Sequence, residues 1–591
     1  MTSLDSYPDP RAGSWEQRTT VIFWVTLMII MAFGVALRLW MLDSQLLVDD
    51  EWHGVNFVSG RSLAYVFTHH GQGANSIPMN VWRWVLLHSV GWSETWLRLP
   101  SIIAGIASMI LFPLLVKTVF DRSQTLTFAF LLTLSPCLIF YSRMSRPYAM
   151  VAFLGFTSLV SFYVWIVGAR RRGAVIYCVT GALAVWFHPY ALIIVTVAPV
   201  AALGLKWLSE RWGVGTEVDR WPRTVHIILV GAMAMLSAAA LLLPAHLNRL
   251  WWMEVDAGEQ LTWATITRYA SLLSGTSNLP LILAFVFFVG TGMCFLSRRK
   301  PLLCVLSGAS ACVYALTLSL HGVQVGIQVA RYTIVMVPLW IAIASYGIWE
   351  GMRAVVPRLK VPGFWTPVVI GCGLLLLVVN SPLFQIFRHP NNFTNHSAFQ
   401  ESYAPLTWEK SRERGAAPGF AIEKSQVSPF YLQLAGENEV DAIIEYPIQI
   451  GDHYNLHFYF QHFHQKRVVG GYITTAVLNR EGDVQVNPGL VPVDLVFSRL
   501  SPGELKKIHF RNLVDVLDLA TVRAGGATYI VFHRHILQEL FPEMWGGQPD
   551  PFSPIVGQLV TWYETAAGPP VYEDEHIVVY ETRMIRGNLM K

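Results

Sequence analysis

Long apolar stretches recur through roughly the first two thirds of the chain, near residues 21–42, 99–119, 124–141, 147–168, 174–188, 190–207, 226–245, 279–296, 301–320, 332–349 and 364–383. A helix needs about 20 mainly apolar residues to cross a bilayer. The pattern therefore predicts a polytopic α-helical membrane protein. The first stretch is too long for a signal-peptide core and ends in Leu-Arg-Leu-Trp-Met-Leu instead of a small-residue cleavage site, so it is expected to stay as a helix. One more apolar stretch, 78–92, contains Arg83 and His88 and is too short to span.

Loop charge decides how that short stretch is used. If it lies on the outer surface, five basic clusters become cytoplasmic: Lys117 with Arg122, Arg170-Arg171-Arg172, Lys206 with Arg211, Arg298-Arg299-Lys300, and Arg353 with Arg358 and Lys360. That is the positive-inside pattern, and a spanning 78–92 would reverse it. The expectation is about 11 transmembrane helices, an inside N-terminus, and 78–92 as a surface or re-entrant helix. This topology sends Asp49-Asp50-Glu51, Ser142–Arg146, His188-Pro189-Tyr190, Arg331-Tyr332 and the loop 246–278 to the non-cytoplasmic face.

Beyond about residue 384 the pattern changes to short strand-like runs, Asp441–Tyr446, Val468–Tyr472 and Tyr529–His533, with a helix-like run Ile536–Leu540 after the last. The expected organisation is a cytoplasmic tail (1–20), a transmembrane domain (21–384) and an extracytoplasmic α/β domain (385–591).

Composition agrees with this division. The chain is 53% hydrophobic and only 14% charged, whereas about a quarter of an ordinary soluble domain is charged. The net charge of +4 is small and no basic helix carries interleaved aromatics, so nucleic acid is not an expected partner. All six cysteines fall in apolar segments and none forms a CxxC pair, so they read as small buried hydrophobes. No GxxxxGK[ST], strand-borne GxGxxG or HExxH occurs.

The polar residues at the membrane boundary carry the candidate chemistry. Adjacent carboxylates at Asp49, Asp50 and Glu51 repel, which suits one of them to act as a general base. They also suit a divalent cation, the one cofactor these residues point to, or simply the N-terminus of a helix. His53 follows two residues on. Arg143 and Arg146 stand three apart, on one helical face, and guanidinium forks match phosphate oxygens. The plainer reading is snorkelling at the interface. Arg38, near the end of the first helix, has the same two readings. His188, in Trp-Phe-His-Pro-Tyr, is a candidate contact or a capping residue, and Arg331-Tyr332 a phosphate contact or an interfacial anchor. Trp251-Trp252 reads mainly as part of an interfacial aromatic belt.

Five stretches, in order, resemble the polytopic glycosyltransferases that use polyprenyl-phosphate sugars, the GT-C type that includes protein mannosyltransferases and lipid A aminoarabinose transferases. They are Leu37-Arg38-Leu39 with Asp50-Glu51-Trp52-His53; Ser93-Glu94 with Arg98-Leu99-Pro100; Tyr141-Ser142-Arg143-Met144-Ser145-Arg146-Pro147-Tyr148; Phe187-His188-Pro189-Tyr190; and Arg331-Tyr332 with Pro338. They cover about residues 20–345, and nothing transfers to the tail. Two positions depart from the family pattern. Ser76-Ile77-Pro78-Met79 stands where members often have His/Lys-Pro-Pro, and Met144 replaces the usual acid between the arginines.

The resemblance implies a GT-C-like fold and sugar transfer from a polyprenyl phosphate to a lipid, glycan or protein acceptor at the non-cytoplasmic face. Asp50 is implied as the base and Glu51 as its partner. Arg143, Arg146, Arg331 and Arg38 are implied at the donor phosphate, with His53, His188, Tyr148 and Tyr332 as further site residues. A transporter or flippase for a lipid-linked sugar is the alternative; it would place polar residues near the membrane midplane.

Overall fold

A computed structural model gives the fold. It describes residues 10–40, 42, 49–58, 61–71, 76–90, 93–212, 218–247, 263–276, 278–320, 326–358, 365–381, 427–440, 442–446, 460, 463–464, 466–468, 476–478, 484–486, 527–535 and 553–584. The chain divides into two compact units. One comprises Met1–Leu42, Gly60–Arg388 and Phe399–Arg414; the other comprises Asp43–Ser59, His389–Ala398 and Gly415–Lys591. The expected boundaries at 384 and 385, the Ile536–Leu540 run and Trp251-Trp252 lie outside the described residues.

The helices in chain order are α1 (Pro10–Leu39), α2 (Asp49–Val58), α3 (Leu63–Thr68), α4 (Ile77–Ser89), α5 (Glu94–Val116), α6 (Arg122–Leu134), α7 (Pro136–Ser142), α8 (Tyr148–Gly168), α9 (Arg171–Phe187), α10 (Leu192–Trp212), α11 (Thr224–His246), α12 (Trp263–Ser274), α13 (Leu279–Arg299), α14 (Pro301–Leu320), α15 (Gly326–Tyr332), α16 (Met336–Val355), α17 (Trp365–Val379), α18 (Pro429–Gly436) and α19 (Ser553–Ala567). Each of the eleven apolar stretches overlaps a helix. Among the described residues, seven helices are long and apolar enough to cross a membrane, or eight if the bent α6–α7 pair is one span. The other expected spans are α9, with 17 residues, α17, with 15, and α16, whose last turns carry Glu350 and Arg353. The chain is a multi-pass membrane protein.

Local sequence explains the breaks that matter here. Asp121 and Gln124 close a capping box at the start of α6, which gives two otherwise orphaned N–H groups an acceptor. Ser135 ends α6 and caps α7, and Pro136 occupies the first turn, where its missing N–H is harmless. The two helices meet at 56°. The bend delivers the end of α7 to an irregular, wholly buried stretch, Arg143–Pro147, before α8 begins. The short stretch 78–92 becomes α4, thirteen residues long, as its length predicted.

Two contacts hold the helical unit together around α16. Gly347 lets α16 meet α13 backbone to backbone, since a Cβ there would sit 2.7 Å from the Gly292 nitrogen. Near the other end of α16 the buried Glu350 accepts hydrogen bonds from Arg299 Nη1 and Arg353 Nη1, each 2.7 Å, and from Gln124 Nε2 at 3.1 Å. These groups come from α13, α16 and α6.

The second unit contains a five-stranded sheet in the order β2 (Arg467–Val468), β1 (Ala442–Tyr446), β5 (Ala527–His533), β7 (Ile577–Glu581), β6 (Tyr572–Glu573), and a separate hairpin of β3 (Ala476–Leu478) and β4 (Val484–Val486). Strands β2, β1 and β5 run parallel, and β7 and β6 are antiparallel. Every residue of β1 is buried, as expected for a parallel strand covered on both faces. Phe532, Tyr563 and Tyr580 pack β5, α19 and β7 together. The turn between β6 and β7 is organised by Asp574, whose carboxylate accepts from Ser428 Oγ at 2.5 Å, Tyr572 OH at 3.0 Å and the N–H groups of His576 and Ile577 at 2.8 Å each.

Candidate functional site

The predicted site residues divide between the two units. Asp50, Glu51 and His53 lie on α2, which belongs to the same unit as the sheet. Glu51 is buried. The side chains of Asp49, Asp50 and His53 lie outside the described residues. Among the described residues, no group of three or more His, Cys, Asp or Glu is placed to hold a metal ion.

Arg38, Arg143, Arg146, Tyr148, His188, Arg331 and Tyr332 all lie in the helical unit. The deeper group is at the end of α1. Arg143 Nη1 donates to Arg38 O at 3.0 Å and Leu37 O at 3.4 Å, and Arg38 Nη1 donates to Gly34 O at 2.9 Å. The charges of Arg98 and Arg38 both bear on Arg143. All three guanidinium groups are buried. Gly105 makes room for this arrangement, since a Cβ there would lie less than 3.0 Å from the Ser142 Cβ and 3.4 Å from Arg38 Nε.

The second group is cationic and aromatic. The Arg146 guanidinium is 5.8 Å from the Tyr148 ring centroid, and that of Arg331 is 5.9 Å from Tyr148 and 5.0 Å from Tyr332. Each is within cation–π range. The His188 ring is 5.8 Å from Tyr148, 5.5 Å from Tyr190 and 5.5 Å from Tyr332, and Tyr190 and Tyr332 are 4.8 Å apart. His188 stands here because α9 stops at Phe187: Pro189 follows, and the imidazole accepts from the Tyr190 N–H at 3.4 Å. Tyr314 OH donates to Tyr190 O at 3.1 Å and steadies that turn from α14.

Three motifs far apart in sequence thus share one cluster. Positive charge set among stacked rings suits an anion joined to a ring, because guanidinium groups bind phosphate oxygens and aromatic faces take the apolar side of a sugar or base. Tyr332 lies just before α16 and Glu350 toward its far end. At about 1.5 Å of rise per residue, they stand more than about 20 Å apart. The cluster and the acidic network therefore occupy opposite ends of that helix.

Several residues emerge that the sequence reading gave no role. Arg98 falls within a quoted motif, yet its burial beside Arg143 was not expected. Tyr190 was quoted only as a neighbour of His188. Arg83 was visible as a charge inside a short apolar segment, which is a signal for an interior function.

No family model matches the sequence, and no curated relative matches it. Similar solved structures are found. ArnT from Cupriavidus metallidurans bound to undecaprenyl phosphate has a TM-score of 0.49 and 13% identity, over 95% of this chain and 98% of that one. In the apo state it gives 0.48 and 13%, over 98% and 99%. The archaeal oligosaccharyltransferase AglB from Archaeoglobus fulgidus, in complex with an inhibitory peptide and a dolichol-phosphate, gives 0.46 and 12%, over 91% and 72%. Both proteins are glycosyltransferases of the GT-C type that the motifs resemble. At these scores and identities the likeness carries no assignment of function.

Proposed function

We propose that this chain is an integral-membrane glycosyltransferase that moves a sugar from a polyprenyl-phosphate donor to an acceptor on the non-cytoplasmic face. The observation that supports it best is the convergence of Arg146, Tyr148, His188, Arg331 and Tyr332, drawn from three separate motifs, in one cluster of cations and rings.

In this reading Arg146 and Arg331 receive the donor phosphate, and Arg143 with Arg38 adds positive potential behind them. The acceptor hydroxyl attacks the anomeric carbon, and the bond from that carbon to the phosphate oxygen breaks with its electron pair on phosphate. The leaving group needs stabilisation of its charge more than a proton, which preorganised guanidinium groups supply. Asp50 takes the hydroxyl proton, Glu51 orients the acceptor or tunes Asp50, and the sugar inverts through an oxocarbenium-like transition state. His188, Tyr190 and Tyr332 form the surface on which the sugar rests.

The test uses the full-length protein in lipid nanodiscs with a labelled polyprenyl-phosphate sugar and native membrane acceptors. Arg146→Ala should raise the KM for donor more than that for acceptor, and Asp50→Asn should abolish transfer with normal expression. Undiminished transfer by Asp50→Asn would remove Asp50 as the base. Movement of unchanged lipid across the bilayer, with no new glycosidic bond, would replace the enzyme reading with a transporter. Chelating and restoring divalent cations in the same assay decides whether the carboxylates work with a metal.

A further inference from the structure

We propose that Arg83 on α4 and Ser101 on α5 are positioning residues for donor binding, holding the Arg143–Pro147 stretch so that Arg146 faces the lipid-borne phosphate. The inference rests on the donor-binding role proposed for Arg146.

Arg83 sits in a thirteen-residue apolar helix, where an arginine ordinarily runs its stem along the apolar surface and its head to water. It does not do so here. The side chain is 1% exposed. Its Nη1 donates to Asn80 Oδ1 at 2.7 Å, one turn back on the same helix, and its Nη2 donates to the carbonyl oxygen of Ser145. Asn80 is itself fully buried. The guanidinium is a strut between α4 and the stretch that carries Arg146.

A second strut comes from α5. Ser101 Oγ donates to the carbonyl oxygen of Arg146 at 2.9 Å. Ser145 and Arg146 lie in an irregular stretch between α7 and α8, outside the helices on either side. A buried carbonyl must find a donor. Arg83 and Ser101 supply donors to two successive carbonyls, one before and one after the Cα of Arg146. Both peptide planes flanking that Cα are thereby oriented, and they set the direction in which the side chain leaves the backbone. Neither Arg83 nor Ser101 is assigned any contact with substrate.

The geometry also explains why lysine is not equivalent to arginine at position 83. The planar fork reaches Asn80 and Ser145 with two nitrogens at once, whereas an ammonium is a single point of charge.

The test is steady-state transfer and direct polyprenyl-phosphate binding by full-length protein in nanodiscs, for Arg83→Ala, Arg83→Lys, Ser101→Ala and Arg146→Ala. Arg83→Ala should raise the donor KM about tenfold, with the acceptor KM unchanged and kcat within about threefold. Ser101→Ala should act in the same direction but more weakly, and Arg83→Lys should resemble Arg83→Ala. Adding Arg83→Ala to Arg146→Ala should cause no further loss of donor affinity, because both act through one side chain. His88→Ala, on the exposed side of α4, should leave donor use unchanged. If Arg83→Ala does not fold, Ser101→Ala and Arg83→Lys carry the same comparison. Wild-type donor KM in Ser101→Ala and Arg83→Lys, or full additivity with Arg146→Ala, would overturn the proposal. A wild-type protein that neither binds polyprenyl phosphate nor transfers sugar would instead overturn the functional reading beneath it.

Discussion

Gly105→Ala probes how closely α5 must approach the end of α7. The new methyl would lie less than 3.0 Å from the Ser142 Cβ, 3.2 Å from its Oγ and 3.4 Å from Arg38 Nε. Neither Cβ can rotate out of the way, because each is set by its backbone. Carbon–carbon contacts settle near about 3.5–4.0 Å, so α5 and α7 must part by about half an ångström or more. Overpacking of this kind costs about 1–3 kcal/mol. The movement also reaches the arginines. Ser101 on α5 bonds to Arg146 O at 2.9 Å, and a parting of that size stretches the bond toward its limit. Losing it adds about 1 kcal/mol. We expect a total of about 2–4 kcal/mol, measured as the shift in a chemical-denaturation midpoint of the nanodisc protein, together with a raised donor KM. Ser142→Gly removes the opposing Cβ, so the double variant should recover most of the loss. Wild-type stability and donor use in Gly105→Ala, or no recovery in the double variant, would refute the reasoning.

Other features give sharper or simpler tests. Arg299→Ala or Arg353→Ala alone leaves Glu350 one guanidinium, but the pair together leaves a buried carboxylate with Gln124 as its one remaining hydrogen-bond donor among the described residues; the double loss should exceed the sum of the single losses by about 0.5–3 kcal/mol in a double-mutant cycle. Gly347→Ala drives a methyl into the α13 backbone and should lower stability by about 1–3 kcal/mol or abolish expression, as read by detergent-solubilised yield and thermal midpoint. In the sheet unit, burial alone would raise the Asp574 carboxyl, but the hydrogen bonds from Ser428, Ile577, His576 and Tyr572 outweigh it and hold it below the ordinary carboxylate range. Its stabilisation is therefore complete above the unfolded value of about 3.9 and is lost as pH falls through the lower folded value. Asp574→Asn should flatten that acid dependence in limited proteolysis of the full-length protein, and an unaltered acid profile would refute it.

The helices were legible because the membrane allows few alternatives. A run such as 147–168 has to form a helix to satisfy its backbone, and α8 spans Tyr148–Gly168. The strands at Asp441–Tyr446 and Tyr529–His533 were legible as apolar runs and appear as β1 and β5. Their pairing as neighbours joins residues more than 80 positions apart, and no local pattern encodes it. At the site, Arg143, Arg146, His188 and Arg331 were legible as polar residues in costly positions. Arg83 was seen but taken as part of a surface or re-entrant helix, because one sequence cannot show that the Ser145 carbonyl lies within reach of its guanidinium. Arg98 was hidden for the same reason: its depth comes from what packs over it.

The affiliation of α2 gives the molecule an unusual order of assembly. This acidic helix emerges early in synthesis, yet it belongs with strands made more than 380 residues later. The nascent chain must therefore carry Asp50 and Glu51 past the insertion of nearly every membrane helix before their own unit exists. The chain passes between the units more than once, so a single cut near residue 384 would not release an intact soluble domain. It would leave the acidic helix on the membrane fragment, without the sheet unit to which it belongs.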